Sequence, residues 1–369
     1  MSLFAGAPAP MFIAPSKINP NFAFGSVAGR YVLLCFLPAP GPEREGIERL
    51  IHERLGGIDD HERLFFGVLP DAESFAAKSD APPFRWFLDR QGDVRRAYDA
   101  EDADGRPVAL WVLLDPSMRL LGWAGGERSD HVITTFLGLG SPLEHAGVPL
   151  HAPVMIVPRI FEPELCRKLI DVYEAIGGAP SGVMRYRDGR TVGELDDFKR
   201  RRDAQIDDPD LCNEIRARLS RRLLPQIVKA FGFTATRVER YIVACYRADE
   251  GGYFRAHRDN GTPGTAHRKF AVSINLNAEE FEGGDLCFPE YGLRTYRPPT
   301  GGAVVFGCGL LHEATPVTRG VRYAYLPFLY DEEGARLRDA NAHTFAPADP
   351  QAADASTQED RKLQVYDHR

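Results

Sequence analysis

Two stretches of this chain, remote from each other, constrain its fold most tightly: Tyr253 to Asn260 (YFRAHRDN) and His312 to Arg322 (HEATPVTRGVR). His257 and Asp259 lie two positions apart, so on a strand or its frayed end the alternation of side chains turns both to one face. A fold that carries His312 to the same place gathers two imidazoles and one carboxylate around a single point. An isolated HxD pair is usually a surface histidine beside a solvated acid, so the neighbouring residues decide.

The run Gly320 to Tyr330 (GVRYAYLPFLY) is rich in aromatic and branched residues and reads as a strand. Alternation places Arg322 in line with Ala324, Leu326 and Phe328 on an inward face. A buried guanidinium is costly unless an anion meets it, and its planar fork suits a carboxylate. Two histidines and a carboxylate occupy one face of an octahedron and leave positions open, the donor set of non-haem Fe(II) oxygenases.

Tyr246 to Asp259, the turn Gly283-Gly284-Asp285-Leu286, Pro298 to Phe306 and His312 to Arg322 together resemble the prolyl 4-hydroxylase-type 2-oxoglutarate and Fe(II)-dependent dioxygenases, over roughly residues 152 to 331. The resemblance implies that His257, Asp259 and His312 are both the catalytic set and the metal ligands. It implies that Arg322 holds the distal carboxylate of 2-oxoglutarate and that Tyr246 touches this cosubstrate. It brings with it Fe(II), 2-oxoglutarate and O2, with ascorbate as reductant. Some animal relatives carry tyrosine where this chain has Asn275, so the hydrogen bonding of the cosubstrate is expected to differ.

At 369 residues the chain suits two domains. Its 44% apolar and 26% charged residues are those of an ordinary globular protein, and a net charge of −7 argues against wholesale binding to a nucleic-acid backbone. The six cysteines (Cys35, Cys166, Cys212, Cys245, Cys287, Cys308) form no CxxC and no dense framework. Reduced thiols in the cytoplasm are the simpler account. Met1 to Pro15 lacks the pattern of a signal peptide, and no long apolar run is present, so a soluble, cytoplasmic protein without a membrane segment is expected.

Residues 1–140 read as an α/β domain. Arg30 to Leu37 is a continuous apolar run of the kind buried on both faces, followed by a periodic helix from Glu43 to Leu55, a strand at Leu64–Leu69, a short helix at Asp71–Lys78, Phe84–Leu88, and a hairpin from Val108–Asp115 and Arg119–Trp123. This order is similar to the peroxiredoxin branch of the thioredoxin fold. Peroxidases of that family carry a nucleophilic cysteine after the first of these strands, where a helix N-terminus lowers its pKa. Here that region is Pro38 to Glu45, without cysteine, and Cys35 lies inside the apolar strand as a small hydrophobe. A non-catalytic domain retained for packing, homodimerisation or partner binding is expected.

Residues 141–153 read as a Pro/Gly-bearing linker whose His145 and His151 are not metal ligands. The second domain, 154–331, opens with a strand at Val154–Val157 and a helix from Glu162 with Leu165, Leu169, Val172 and Ile176 as its buried stripe. A second helix follows from about Pro209 to Phe231, bent at Pro225. Lys199-Arg200-Arg201-Arg202 reads as a solvated basic face, the alternative being a patch for an acidic substrate. Short strands then alternate with Gly and Pro turns, which implies a double-stranded β-helix, the jelly roll, with supporting helices. His267 is expected on a mobile surface loop and Glu313 facing solvent, while Arg258 and Asn260 flank the ligands. Residues 332–369 read as a flexible extension, with Ala346 to Arg369 a mobile tail.

The reaction implied is oxidative decarboxylation of 2-oxoglutarate to succinate and CO2, coupled to hydroxylation of an unactivated C–H bond. The substrate is a protein, as a peptidyl proline or another side chain, or else a small molecule or free amino acid. Two rivals stand beside this reading. One is a zinc-dependent cupin-like enzyme, which gives Arg322 no role. The other is a non-enzymatic two-domain scaffold, which leaves the triad without a purpose.

Overall fold

The structure, a computed structural model, describes residues 3–79, 81–187, 189–345 and 361–363. The chain divides into two compact units, Met1–Ala152 with Pro289–Leu293, and Pro153–Phe288 with Arg294–Arg369. The stretch read as a linker therefore falls almost wholly in the first unit, where Pro142–Glu144 forms a 3-10 turn. Among the described residues no helix is long and apolar enough to cross a membrane.

The first unit is built on a mixed sheet in the order Phe84–Leu88, Arg63–Leu69, Tyr31–Phe36, Leu110–Leu114, Leu120–Gly125. The first three strands run parallel and the last two join antiparallel. Tyr31–Phe36 is buried at every position, as its unbroken apolar run requires of a central strand. Leu33 and Cys35 pack with Ile47, Ile51 and Leu55 of the helix Pro42–Leu55 and with Ile133 and Phe136 of the helix Ser129–Leu137. The α/β order expected from the sequence is present. The helix Ser129–Leu137 was hidden by its β-branched residues, which lower helix propensity, and forms because Val132, Ile133 and Phe136 share one buried face.

The second unit has two large sheets whose paired strands run antiparallel. The larger sheet runs Arg237–Glu239, Phe328–Tyr330, Phe270–Asn275, Val317–Tyr325, Ile242–Arg247, Arg202–Gln205, with Ala303–Gly307 and Met155–Val157 joined beside Phe270–Asn275. The smaller runs Lys199–Arg200, Tyr253–His257, His312–Ala314, Leu286–Cys287, Thr295–Tyr296. Alternation along the larger sheet sorts its side chains into two environments. Val243, Cys245, Val272, Ile274, Tyr323 and Tyr325 join Leu165, Leu169, Ile215, Leu219, Leu223 and Ile227 of the helices in the main core. Burying side chains of this size stabilises by roughly 1.5–3 kcal/mol each. Ala244 and Tyr246 instead cluster with Phe254 and Ala314 of the smaller sheet.

Several local expectations are corrected. In the helix Pro163–Ile176 the buried residues are Leu165, Cys166, Leu169 and Tyr173, and Ile176 is exposed in the last turn before Gly177, which ends the helix in the left-handed conformation. The second helix is interrupted: Pro209–Arg218 passes through a π turn at Leu219–Leu223 into Leu224–Phe231. Pro225 has no N–H to give and crowds the carbonyl a turn earlier, and the wider turn accommodates it. The strand expected over the run Gly320 to Tyr330 breaks between Tyr325 and Phe328, around Pro327. The extension read as flexible opens with a helix, Glu332–Asn341, capped by the Asp331 side chain on the Gly334 N–H, and Arg361–Lys362 pairs with Arg237–Glu239. The rest of the expected mobile tail lies outside the described residues.

Candidate active site

His257 ends the strand Tyr253–His257 and His312 begins the strand His312–Ala314, and the two are antiparallel partners. Their ring centroids are 4.3 Å apart. Asp259 lies just beyond the first strand, its N–H donating to the carbonyl of Cys308 at 3.0 Å. One carboxylate oxygen is 3.5 Å from His257 Nε2 and the other 3.3 Å from His312 Nε2. One ligand atom from each of the three residues lies within 4.8 Å of the others.

The two histidines are oriented in the same way. His257 Nδ1 is 2.8 Å from the carbonyl of Arg255, and His312 Nδ1 is 3.0 Å from the carbonyl of Leu310. A carbonyl only accepts, so each Nδ1 carries a proton, and Nε2 is the nitrogen turned toward Asp259. Phe254 stacks on the His257 ring at 3.5 Å, and Phe306 lies 4.5 Å from that of His312. Burial, with His257 nearby, pushes His312 down to about 4, so its imidazole is neutral at neutral pH. Burial acts to raise the Asp259 carboxyl, but His312, His257 and Arg268 outweigh it and hold it below the usual carboxylate range. A neutral imidazole at His312 and an ionised carboxylate at Asp259 are protonation states that suit a divalent cation.

Beside this cluster, Tyr246 and Arg322 are directly opposed on neighbouring antiparallel strands. The Arg322 guanidinium carbon lies 5.1 Å from the Tyr246 ring centre. Arg322 is only 3% exposed, and its donors reach Ser273 Oγ at 2.8 Å and Asn275 Oδ1 at 3.3 Å. Burial lowers its pKa, and among the described residues no carboxylate lies in ion-pair range. Asn275 also donates to the carbonyl of Pro298 at 3.0 Å, which fixes its oxygen toward Arg322. The turn at Gly283 and Gly284 has φ of +69° and +65°. A Cβ on Gly284 would stand 3.2 Å from Arg322 Cδ and 2.8 Å from Val317 Cγ2, so only glycine lets the side chain lie there. Arg297 secures this turn through Asp285 Oδ1 at 2.5 Å and the carbonyls of Phe281 and Gly283 at 2.8 and 2.7 Å.

Two expectations fail here for the same reason, a partner distant in sequence. His267 is not on the surface: it is 1% exposed, its Nε2 2.7 Å from Glu239 Oε2. Arg268 donates to both oxygens of the same carboxylate, at 2.6 and 3.1 Å, and to the carbonyl of Asp259 at 3.4 Å. The basic cluster is not a solvated face either. Lys199 and Arg201 are buried and Arg200 is exposed, the alternation of an extended strand. Arg201 was overlooked as a site residue, and that alternation was the available signal. Glu313 is half-buried, as are Arg258 and Asn260. His145 and His151 belong to the first unit.

Residues 241–330 match the family model described as the 2OG-Fe(II) oxygenase superfamily, and a domain of this class occupies that part of the chain. A PKHD-type hydroxylase of Paracoccus denitrificans is 40% identical over 86 residues, covering 21% of this chain and 38% of that protein. The PKHD-type hydroxylase PiuC of Pseudomonas aeruginosa is 28% identical over 148 residues, covering 38% of this chain and 65% of that protein. The chain thus spans less than two thirds of the length of these curated relatives. Among solved structures, a Trichoplax adhaerens prolyl hydroxylase in complex with a hypoxia inducible factor peptide fragment has a TM-score of 0.37 at 17% identity, covering 50% of this chain and 86% of that one. The mitochondrial 2-cys peroxiredoxin of Plasmodium falciparum has a TM-score of 0.31 at 18% identity, covering 36% and 92%.

Proposed function

We propose that this protein is a 2-oxoglutarate- and Fe(II)-dependent dioxygenase that hydroxylates an unactivated C–H bond, with His257, Asp259 and His312 as its metal ligands. The observation that carries the reading is the pairing of an imidazole and carboxylate cluster with a buried arginine that has no carboxylate in ion-pair range among the described residues. The match of residues 241–330 to the oxygenase superfamily supports it. We read the two strand layers of the second unit as a jelly roll and the first unit as a peroxiredoxin-like thioredoxin fold.

The residues present fit the metal. Each Nδ1–H is held by a backbone carbonyl, each Nε2 is turned toward Asp259, and Asp259 is ionised, so the set offers three donors. Fe(II) bound there supplies the oxidative decarboxylation of 2-oxoglutarate by O2 and the insertion of oxygen into the C–H bond, with ascorbate as reductant. The protein's own share is positioning. The fork of Arg322 grips the distal carboxylate, Tyr246 gives it a further hydrogen bond, and the rings of Phe254, stacked on His257, and of Phe306, tilted against His312, hold the imidazoles and keep water from them. A zinc-dependent reading leaves Arg322 idle, and a scaffold reading leaves the whole cluster idle.

The substrate we favour is a protein side chain, with peptidyl proline first and a small molecule or free amino acid second. The first unit then serves as a non-catalytic module for homodimerisation or for gripping a polypeptide, since the helix after its central strand starts without a cysteine. Six buried cysteines with no disulfide among them fit a reducing compartment, and we place the protein in the cytoplasm. The test is succinate formation from 2-oxoglutarate by the purified chain. It should require Fe(II), fail with Zn(II) and vanish in His257→Ala. A cell extract treated with the wild type should yield products heavier by one oxygen that the variant does not make. Succinate formation that persists in the variant ends the proposal.

A further inference from the structure

The strand Arg202–Gln205 sets Asp203 opposite Ala244 and Arg202 opposite Cys245, so Arg201 follows beside Tyr246, which itself faces Arg322 on its other side. Arg201 Nη1 lies 3.4 Å from the Tyr246 hydroxyl oxygen, and its guanidinium carbon lies 5.8 Å from the ring centre. Arg201 is 7% exposed, and its Nη2 donates to Asp203 Oδ2 at 2.6 Å and to Ser181 Oγ at 3.2 Å. Its buried Nε has no partner among the described residues. Burial works against its charge, but Asp203 and Tyr246 outweigh that and keep it protonated.

A phenol has one proton to donate and two lone pairs to offer, and a guanidinium only donates. Tyr246 therefore cannot give its proton to Arg201 or to Arg322. Among the described residues its hydroxyl donates to no other acceptor. An acceptor must come from whatever lies against Arg322, and a carboxylate there meets both donors at once.

We propose that Arg201 is a positioning residue for the oxoacid: by occupying a lone pair of the Tyr246 hydroxyl it turns the phenolic proton toward the carboxylate held by Arg322. This rests on the reading of the site as a 2-oxoglutarate pocket. Asp203 pairs with Arg201 and, at 3.5 Å, with Arg240 as well, so a charge-neutral double variant is needed to separate the orientation of Tyr246 from the net charge of the pocket.

The experiment measures succinate formation and, independently, calorimetric binding of 2-oxoglutarate to the Mn(II)-loaded full-length protein. Two variants are used: Arg201→Lys, which keeps a cation on Asp203 but loses the reach to Tyr246, and the charge-neutral double variant Arg201→Met/Asp203→Asn. Each is expected to raise KM and Kd for 2-oxoglutarate about 10-fold with kcat unchanged, as Tyr246→Phe does. Combined with Tyr246→Phe, neither adds a further loss beyond about 2-fold. Arg201→Lys with wild-type affinity overturns the proposal, as does an Arg201 effect that persists in full without the tyrosine hydroxyl. Should the double variant fail to fold, Arg201→Lys decides alone. Failure of the underlying reading shows differently, as wild-type protein that neither binds 2-oxoglutarate nor forms succinate.

Discussion

His257 and His312, which are 55 residues apart in sequence, face each other as antiparallel partners, and each ties its Nδ1 to the carbonyl two residues before it. Strand pairing sets the spacing of the rings, and the local backbone sets which nitrogen is free. Neither histidine depends on a third side chain for its tautomer, so the orientation is in place before any metal arrives.

Asp259→Asn should abolish high-affinity metal binding while leaving the fold intact. The amide keeps the volume but offers one neutral oxygen and an NH2 group where the carboxylate sets one oxygen 3.5 Å from His257 Nε2 and the other 3.3 Å from His312 Nε2. Calorimetric titration of Mn(II) into the metal-free variant should show a loss of at least about 100-fold, above the effect expected for removing a group behind the ligands. Near wild-type affinity would falsify the ligand assignment.

Arg322→Lys should raise KM for 2-oxoglutarate by about 10-fold or more with little change in kcat. An ammonium keeps the charge but gives up the planar fork, and the contacts to Ser273 and Asn275 that hold the guanidinium are lost with it. Arg322→Met should be worse, because Ser273 and Asn275 are left around an apolar chain that no carboxylate will approach. Equal KM in wild type and both variants rules out Arg322 as the anchor.

Gly283→Ala should cost about 2–3 kcal/mol of stability from the strained backbone alone. The position has φ +69°, and a methyl there would overlap the carbonyl of Pro316. Denaturant unfolding measures the loss. A surviving folded fraction should also bind 2-oxoglutarate more weakly, since Arg297, Asp285 and this turn form one support beside Arg322.

Native protein should expose essentially no reactive thiol. All six cysteines are buried, and no disulfide joins them. Burial pushes Cys35 and Cys308 well above the ordinary thiol value and raises Cys166, Cys245 and Cys287 to about 11, so a colourimetric thiol reagent should react only after denaturation. Cys35→Ser should accordingly change no peroxide turnover. Rapid peroxide consumption that disappears in this variant would return a redox role to the first unit.

The parts of the fold visible in the sequence were those with a local cause. The unbroken apolar run of Tyr31–Phe36 announced a central strand, Gly177 a helix end, and the alternation around Arg322 an inward guanidinium. What escaped had causes elsewhere in the chain. Nothing near His267 or Arg268 points to Glu239, which accepts from both across nearly thirty positions, so His267 read as surface. Four successive basic residues read as a charged face by composition, although strand alternation buries only Lys199 and Arg201. The helix Ser129–Leu137 was obscured by β-branched residues that tertiary packing overrides.

The Glu239 cluster makes a claim about pH. Burial alone would raise the Glu239 carboxyl, but Arg268 and His267 outweigh it and depress it far below the ordinary value. A carboxylate whose folded pKa is depressed gives stability that is fully present above its unfolded pKa, about 4.3, and is lost as pH falls toward the folded value. Glu239→Gln should therefore cost about 3–5 kcal/mol at neutral pH, because it strands a buried Arg268. The difference between variant and wild type should shrink as the pH falls below about 4. Because Arg268 also donates to the carbonyl of Asp259, the variant should bind Mn(II) about 10-fold more weakly at neutral pH even where it remains folded. Unfolding curves at several pH values check the first part and a metal titration the second. A stability difference that stays constant into acid would mean that Glu239 holds the loop by shape and not by charge.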